Sequence, residues 1–239
     1  MLTLVLADSE LEMVPASIAG HPACVSPARK RGRQASHTLL DSSVHHAALG
    51  RLQDGDRRGR PDLVHFFLLA ALDSILNIEG GLRVVVHTRN GEVIRIRPDT
   101  RLPKNQPRFC SLMEQLFLNG RVPPEGEPLM SMTKGSLEAI IKETGAREVV
   151  ALSPKGRPVE PRAYFAKKRG RDIACIIGGF PDGDFTSPVN ELADDVISIA
   201  PHTLKVWTVA SEIVVNMRAK SAIGSRQPAA GTGAGGRQS

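Results

Sequence analysis

The segment RGRPD sets Arg58, Arg60 and Asp62 just before an apolar stretch that begins at Pro61. An aspartate at a helix start ordinarily satisfies free backbone amides, and Asp62 suits that bland role. Arg60 has no such duty. An arginine beside a carboxylate can clamp a nucleotide base and orient or remove its proton, with the guanidinium offsetting the developing negative charge. Asp73, inside the same stretch, is expected to cap or bond locally. His45 and His46 are adjacent and diverge on a helix, so they do not share a site.

A second kind of chemistry belongs to CIIGGFPDGDF, where an apolar run meets a turn containing Gly178, Gly179 and Gly183. Such a turn lets backbone approach a ligand closely. Its spacing is not GxGxxG and no phosphate-binding lysine follows, so alone it reads as an ordinary strand-end turn. DVISIAPHTLKVW repeats the design with Ala200 and Pro201. Two such strand ends can form one crevice beyond a sheet, where ligands of open α/β folds bind. Small residues and free backbone groups suit a flat adenine. No carboxylate or histidine cluster has metal-ligand spacing, so no metal is expected. Neither a GxSxG elbow nor a matched cysteine and histidine signature supports nucleophilic hydrolysis.

Charge supplies the third signal. The net charge is +6, and residues 83–108 hold seven basic residues against Glu92 and Asp99, a surplus of five. Polyanions are favoured partners of such a chain. Arg101, Lys104 and Arg108 lie in a proline-broken segment suited to phosphates, although a charge run is usually only a solvated face. Aromatic residues make up 4% of the chain, which disfavours a surface that stacks many bases.

These residues need a scaffold. LTLVLA reads as a buried strand and ELEMVP as the start of a helix, followed by a mobile basic loop over 27–36. PDLVHFFLLAALDSILN reads as one buried helix with a first-turn proline. LRVVVHT and EVIRIRP, separated by Arg89, Asn90 and Gly91, predict a β-hairpin with Arg95 and Arg97 on one face. FCSLMEQLFLNG predicts an amphipathic helix, 121–132 a connection, and SLEAIIKETGA a helix stopped by Gly145. REVVALS and DIACIIGGF are strands, and TLKVWTVASEIVVNM a helix. The glycine-, alanine- and serine-rich tail over 219–239 is expected to be disordered. Alternating strands and helices predict an α/β fold with a parallel sheet. Cys24, Cys110 and Cys175 are far apart and odd in number, which fits a reducing cytoplasm. Neither a leader-like start nor a membrane-length apolar run is found.

RGRPDLVHFFLLAALDS, VHTRNGEVIRIRPDTRLPKNQPRFCSLMEQL, IIGGFPDGDF and SIAPHTLKVWTVASEI occur in this order, and together they closely resemble the ribosome-biogenesis pseudouridine methyltransferases of the Nep/Emg family. These belong to the SPOUT class, and the compact N-terminus is similar to archaeal members. The resemblance runs from Leu2 to about Met217. It implies a single SPOUT-type domain over 1–218: a parallel sheet with a C-terminal trefoil knot, helices on both faces and an inserted β-hairpin, the hairpin and loop near 83–108 binding RNA. It implies methyl transfer from S-adenosyl-methionine to ring nitrogen 1 of a pseudouridine in small-subunit ribosomal RNA, by a homodimer whose C-terminal knots pack together.

By motif, Arg60 and Asp62 would sit at the target base. Arg58, Arg60, Arg101, Lys104 and Arg108 would hold RNA; family members usually carry arginine where Lys104 stands, and lysine keeps the charge but lacks the fork. The cofactor would lie against Ile177, Gly178, Gly179, Gly183, Ile197, Ala200, Pro201 and Leu204. Two other readings stand beside this one: a ribosome-assembly factor that binds RNA without catalysis, and a SPOUT methyltransferase acting on uridine or on transfer RNA.

Overall fold

The computed structural model describes residues 1–218, so the tail expected from Ala219 lies outside the described residues. Strand β1 (Leu2–Ser9) is buried along its whole length, as expected of a strand covered on both faces. It pairs in parallel with β2 (Leu82–Thr88) on one side and β7 (Ile173–Gly178) on the other. Beyond β7 lie β6 (Glu148–Pro158) and β8 (Asp195–Ser198), also parallel. On the opposite flank β3 (Glu92–Ile96), β5 (Met130–Lys134) and β4 (Arg121–Val122) run antiparallel. The sheet order is β4-β5-β3-β2-β1-β7-β6-β8.

Alternate residues of each central strand feed two separate cores. Leu2, Leu4 and Leu6 of β1 and Ile173, Cys175 and Ile177 of β7 pack under α3 (Pro61–Leu72), α5 (Gln106–Asn119), α7 (Pro161–Ala166) and α9 (Val206–Met217). Val5, Ala7, Ala174 and Ile176 face the other way, against α6 (Leu137–Thr144) and α8 (Val189–Leu192). Helices therefore cover both faces, as the period-2 alternation of the strands requires. A satellite core gathers α1 (Pro22–Lys30) and α2 (Ser42–Leu49) around Val14, Ile18, Cys24 and Leu40.

Several local expectations change. ELEMVP is extended, with Met13 bridged to Leu39, because the Glu10 and Glu12 carboxylates are drawn inward to arginines. In place of a loop over 27–36, residues 27–30 close α1, and Arg31 and Arg33 are tied to the buried Glu114 of α5. The long apolar helix stops at Asp73 and restarts as α4 (Ile75–Ile78), capped by Ser74. The hairpin is no appendage: its first strand is a central strand of the sheet, and the 121–132 connection contains β4 and begins β5.

Candidate functional site

All five parallel strands end at one edge. The chain leaving β7 leads to α8 on one face, whereas those leaving β6 and β8 lead to α7 and α9 on the other. Divergence of this kind opens a ligand crevice at the carboxyl ends. Two hollows of about 470 and 400 Å³ lie elsewhere, one beside Arg147, Glu148 and Asp172 at the amino ends, the other between α1, α2 and α5. Neither is lined by the residues that converge at the carboxyl edge, so topology and backbone contacts locate the crevice.

Gly178 and Gly179 end β7 under tight constraint. A Cβ on Gly178 would stand 2.6 Å from the Phe180 ring, and one on Gly179 would run into Ser9. The Gly179 amide donates to Ala7 (2.7 Å) and its carbonyl accepts from the Glu10 amide (3.0 Å), so β1 and the glycine turn stay zipped beyond the sheet. Gly183, exposed at φ +89°, takes a conformation that side chains rarely adopt. Asp8 clasps the far end of this loop, accepting from the amides of Thr186 (2.8 Å) and Ser187 (2.9 Å) and from the Ser187 hydroxyl (2.6 Å). Burial alone would raise the Asp8 carboxyl; the His87 ring, 3.5 Å away, and the bonds from Ser187 and Thr186 outweigh that and hold it well below the usual carboxylate range.

Ile177 and Ile197 are buried in one core on either side of Leu152 of β6, so only their backbones can face a ligand. Two strand spacings, about 10 Å, separate β7 from β8. Beyond β8, Ala200 and Leu204 are half-buried and Pro201 is exposed; the Ser198 hydroxyl donates to the Ala200 carbonyl at 2.8 Å, shaping the turn. All eight residues expected at a cofactor thus lie at the ends of β7 and β8 or in the loops that follow. An apolar floor with a backbone rim fits a flat heteroaromatic ring.

Arg60 precedes the first turn of α3, and its amide donates to the Glu10 carbonyl at 2.9 Å. Its guanidinium holds Asp62 through Nε to Oδ1 (2.9 Å) and Nη2 to Oδ2 (2.7 Å). Asp62 caps no amide, so the ordinary helix-start role is not the one it takes. The Asp62 bond raises the basicity of Arg60. Both side chains remain 27% exposed, open to a partner.

Arg58 departs from the expectation that it holds RNA. Its Nε and Nη2 grip Glu12 at 2.7 and 2.6 Å and it is only 12% exposed, so its fork is spent inside the protein. Arg95 and Arg97 are likewise engaged, by Glu143 and by Asp99 with Glu127. Arg101, Lys104 and Arg108 are exposed and make no ion pair among the described residues. His65 of α3, stacked on Phe109, bonds the Pro103 carbonyl through Nε2 (2.7 Å) and so fixes this basic loop against the helix that carries Asp62. The pairing of Glu10 with Arg57 and Arg89 was not among the expectations drawn from the sequence. The signal was DSELE directly after an apolar strand, three carboxylates that the later DRRGR can neutralise.

Among the described residues no group of three or more His, Cys, Asp or Glu is placed to hold a metal ion, and no helix is long and apolar enough to cross a membrane. Fold and site together define an α/β protein of the SPOUT class, in which the Arg60–Asp62 pair is joined through the Glu10 backbone to the glycine turn at the carboxyl edge of the sheet. A family model described as EMG1/NEP1 methyltransferase matches residues 4–218, and the chain belongs to this family. It is 53% identical over 217 residues to the ribosomal RNA small subunit methyltransferase Nep1 of Methanothrix thermoacetophila, covering 90% of this chain and 95% of that one. The Nep1 of Thermococcus kodakarensis is 47% identical over 220 residues, 92% and 98% of the two chains. The crystal structure of Archaeoglobus fulgidus Nep1 bound to S-adenosylhomocysteine superimposes with a TM-score of 0.80 at 34% identity, covering 90% of this chain and 96% of that one.

Proposed function

We propose that residues 1–218 form one catalytic domain that methylates small-subunit ribosomal RNA with S-adenosyl-methionine, at ring nitrogen 1 of a pseudouridine. The observation that carries this reading is the Arg60–Asp62 pair, tied through the backbone of Glu10 to the glycine turn at Gly179. Relatives named ribosomal RNA small subunit methyltransferase and a neighbour bound to S-adenosylhomocysteine support both substrate and donor.

S-adenosyl-methionine supplies an already activated methyl group, so the protein's task is alignment. Ile177, Gly178, Gly179 and Gly183 would hold the donor on the β7 side, and Ile197, Ala200, Pro201 and Leu204 on the β8 side. Arg60 and Asp62 hold the acceptor base. Forming the methyl–nitrogen bond would break the methyl–sulfur bond, its electron pair returning to the sulfonium sulfur, and the N1 proton would leave. The Asp62 lone pairs outside the Arg60 fork direct or accept that proton, and Arg60 offsets the charge. Arg101, Lys104 and Arg108 bind phosphates near this pair, Lys104 as a point charge.

The enzyme works as a homodimer in a reducing cytoplasm. Phe66 on α3 is 46% exposed and meets Trp207 on α9 edge-on at 5.1 Å, and Val215 continues the apolar strip two turns along α9. A strip of this kind on a folded chain suits a second copy. The three cysteines are unpaired. Mass spectrometry of ribosomal RNA nucleosides after incubation with enzyme and labelled donor tests the whole reading. Label on N1 of pseudouridine supports it. Equal labelling of the uridine version of the same stem-loop would assign a different RNA substrate, and RNA binding without transfer would leave an assembly factor.

A further inference from the structure

We infer, on the basis of the methyl-transfer reading, that Glu10 is the positioning residue through which the donor crevice and the base site sense each other, making donor and RNA binding cooperative. The Glu10 main chain already joins the two: its amide donates to Gly179 (3.0 Å) and its carbonyl accepts from Arg60 (2.9 Å). Its carboxylate, 1% exposed, adds a second connection. Oε1 receives Arg57 Nε at 2.7 Å, and Arg57 in turn donates Nη1 to the Asp184 carbonyl (2.7 Å) and lies 3.9 Å over the Phe180 ring. Oε2 receives Arg89 Nη1 at 2.7 Å, from the tip of the β2–β3 hairpin. Arg57 is therefore a strap across the loop 180–184, three residues upstream of Arg60 in a short chain whose other end is bonded to Glu10.

A ligand that fastens the glycine loop fixes Phe180 and Asp184, hence Arg57, hence the segment that presents Arg60 and Asp62. The reverse path runs from an RNA base at Arg60 to the loop. Linkage requires the two effects to be equal in magnitude. The Arg57 Nη2 is buried without a hydrogen-bond partner among the described residues, so this guanidinium depends on the loop for its remaining contacts. Glu12 provides a natural comparison, because it is as buried as Glu10 and grips Arg58 yet bonds nothing in the 178–187 loop.

The test is calorimetric titration of S-adenosylhomocysteine into the full chain, with and without a pseudouridine-containing stem-loop of small-subunit ribosomal RNA. In the unaltered protein the RNA tightens S-adenosylhomocysteine binding about fivefold or more, the ordinary lower range of allosteric coupling. Glu10→Gln keeps shape and main-chain bonds but turns a donor toward one guanidinium. Arg57→Lys keeps the charge and loses the fork. Both lower the ratio at least twofold, leaving what the main-chain bonds transmit, whereas Glu12→Gln lowers the unfolding midpoint and leaves the ratio intact. Should Glu10→Gln fail to fold, Arg57→Lys decides. A ratio of unity in the unaltered protein, an undiminished ratio in Arg57→Lys, or an equal loss in Glu12→Gln overturns the coupling. Failure of S-adenosylhomocysteine to bind at all refutes the methyl-transfer reading itself, and is distinct from binding without coupling.

Discussion

Arg60 and Asp62, two residues apart, face each other in a two-pronged pair although the first turn of α3 offers Asp62 free amides to cap. The carboxylate thereby stays at the helix mouth, partly exposed, with half its lone pairs unused. Asp62→Asn preserves the outline but cannot take a proton. Turnover should fall about 10²-fold or more, the usual scale of general-base assistance, while S-adenosylhomocysteine affinity holds. Single-turnover kinetics beside calorimetry separate the two; unchanged turnover removes Asp62 from the chemistry.

Asp8 carries a pH dependence whose sign follows from its environment. Its carboxyl is held below the ordinary value of 3.8, so the unfolded chain binds its proton more readily than the folded one. The stabilisation is complete above the unfolded value and drains away as pH falls through and below it. Asp8→Asn should therefore show a shallower loss of stability between neutral and acid pH than the unaltered protein, read as urea midpoints along a pH series. Asp8→Ala removes the acceptor for two amides and a hydroxyl, costing roughly 1–3 kcal/mol. Parallel pH curves for Asp8→Asn and the unaltered protein would mean that the clasp contributes nothing.

Salt dependence distinguishes arginines that the sequence presents as equals. Removing one side chain that neutralises a phosphate lowers the slope of log affinity against log salt by about 0.7 to 0.9. Arg101→Ala and Arg108→Ala should each reduce it by about that much in fluorescence anisotropy over a salt series. Arg58→Ala should leave the slope alone, yet strand the buried Glu12 at a cost of about 3–5 kcal/mol in unfolding free energy. A reduced slope for Arg58→Ala with unchanged stability would return it to the RNA surface.

Arg58 and Arg60 also mark how far the sequence could be read. Local periodicity located β1, β7, α3, α5 and α9, because burial on one or both faces leaves a regular apolar trace. Gly120 and Gly145 stop their helices at positive φ as their spacing implied. What decides whether an arginine points outward is its partner, and Glu12 lies 46 residues from Arg58. The same long-range pairing made ELEMVP extended where helix-forming residues suggested otherwise. Strands as short as β4 leave no periodic trace within a proline- and glycine-containing segment. The glycine turn after β7 was legible as a strand-end loop, since close backbone approach demands glycine, and Ser9 beside Gly179 supplies the reason.

Phe66 and Trp207 put the proposed dimer to the test. Phe66 leaves almost half its surface in solvent at the point where α3 crosses α9, and Val215, 68% exposed, lies on the same side of α9 as Trp207. Eight residues on an α-helix return to within a quarter turn of the starting direction, so Trp207 and Val215 present one strip. Light scattering of the unaltered protein should give twice the 25.7 kDa chain mass. Phe66→Glu combined with Val215→Glu buries two carboxylates in that contact and removes an aromatic anchor. A loss of roughly 2 kcal/mol or more raises the dimer Kd about 30-fold and shifts the mass toward the monomer at micromolar concentration. Circular dichroism should be unchanged, because neither side chain belongs to the buried core. A dimer of unchanged affinity would place the contact on another face of the molecule.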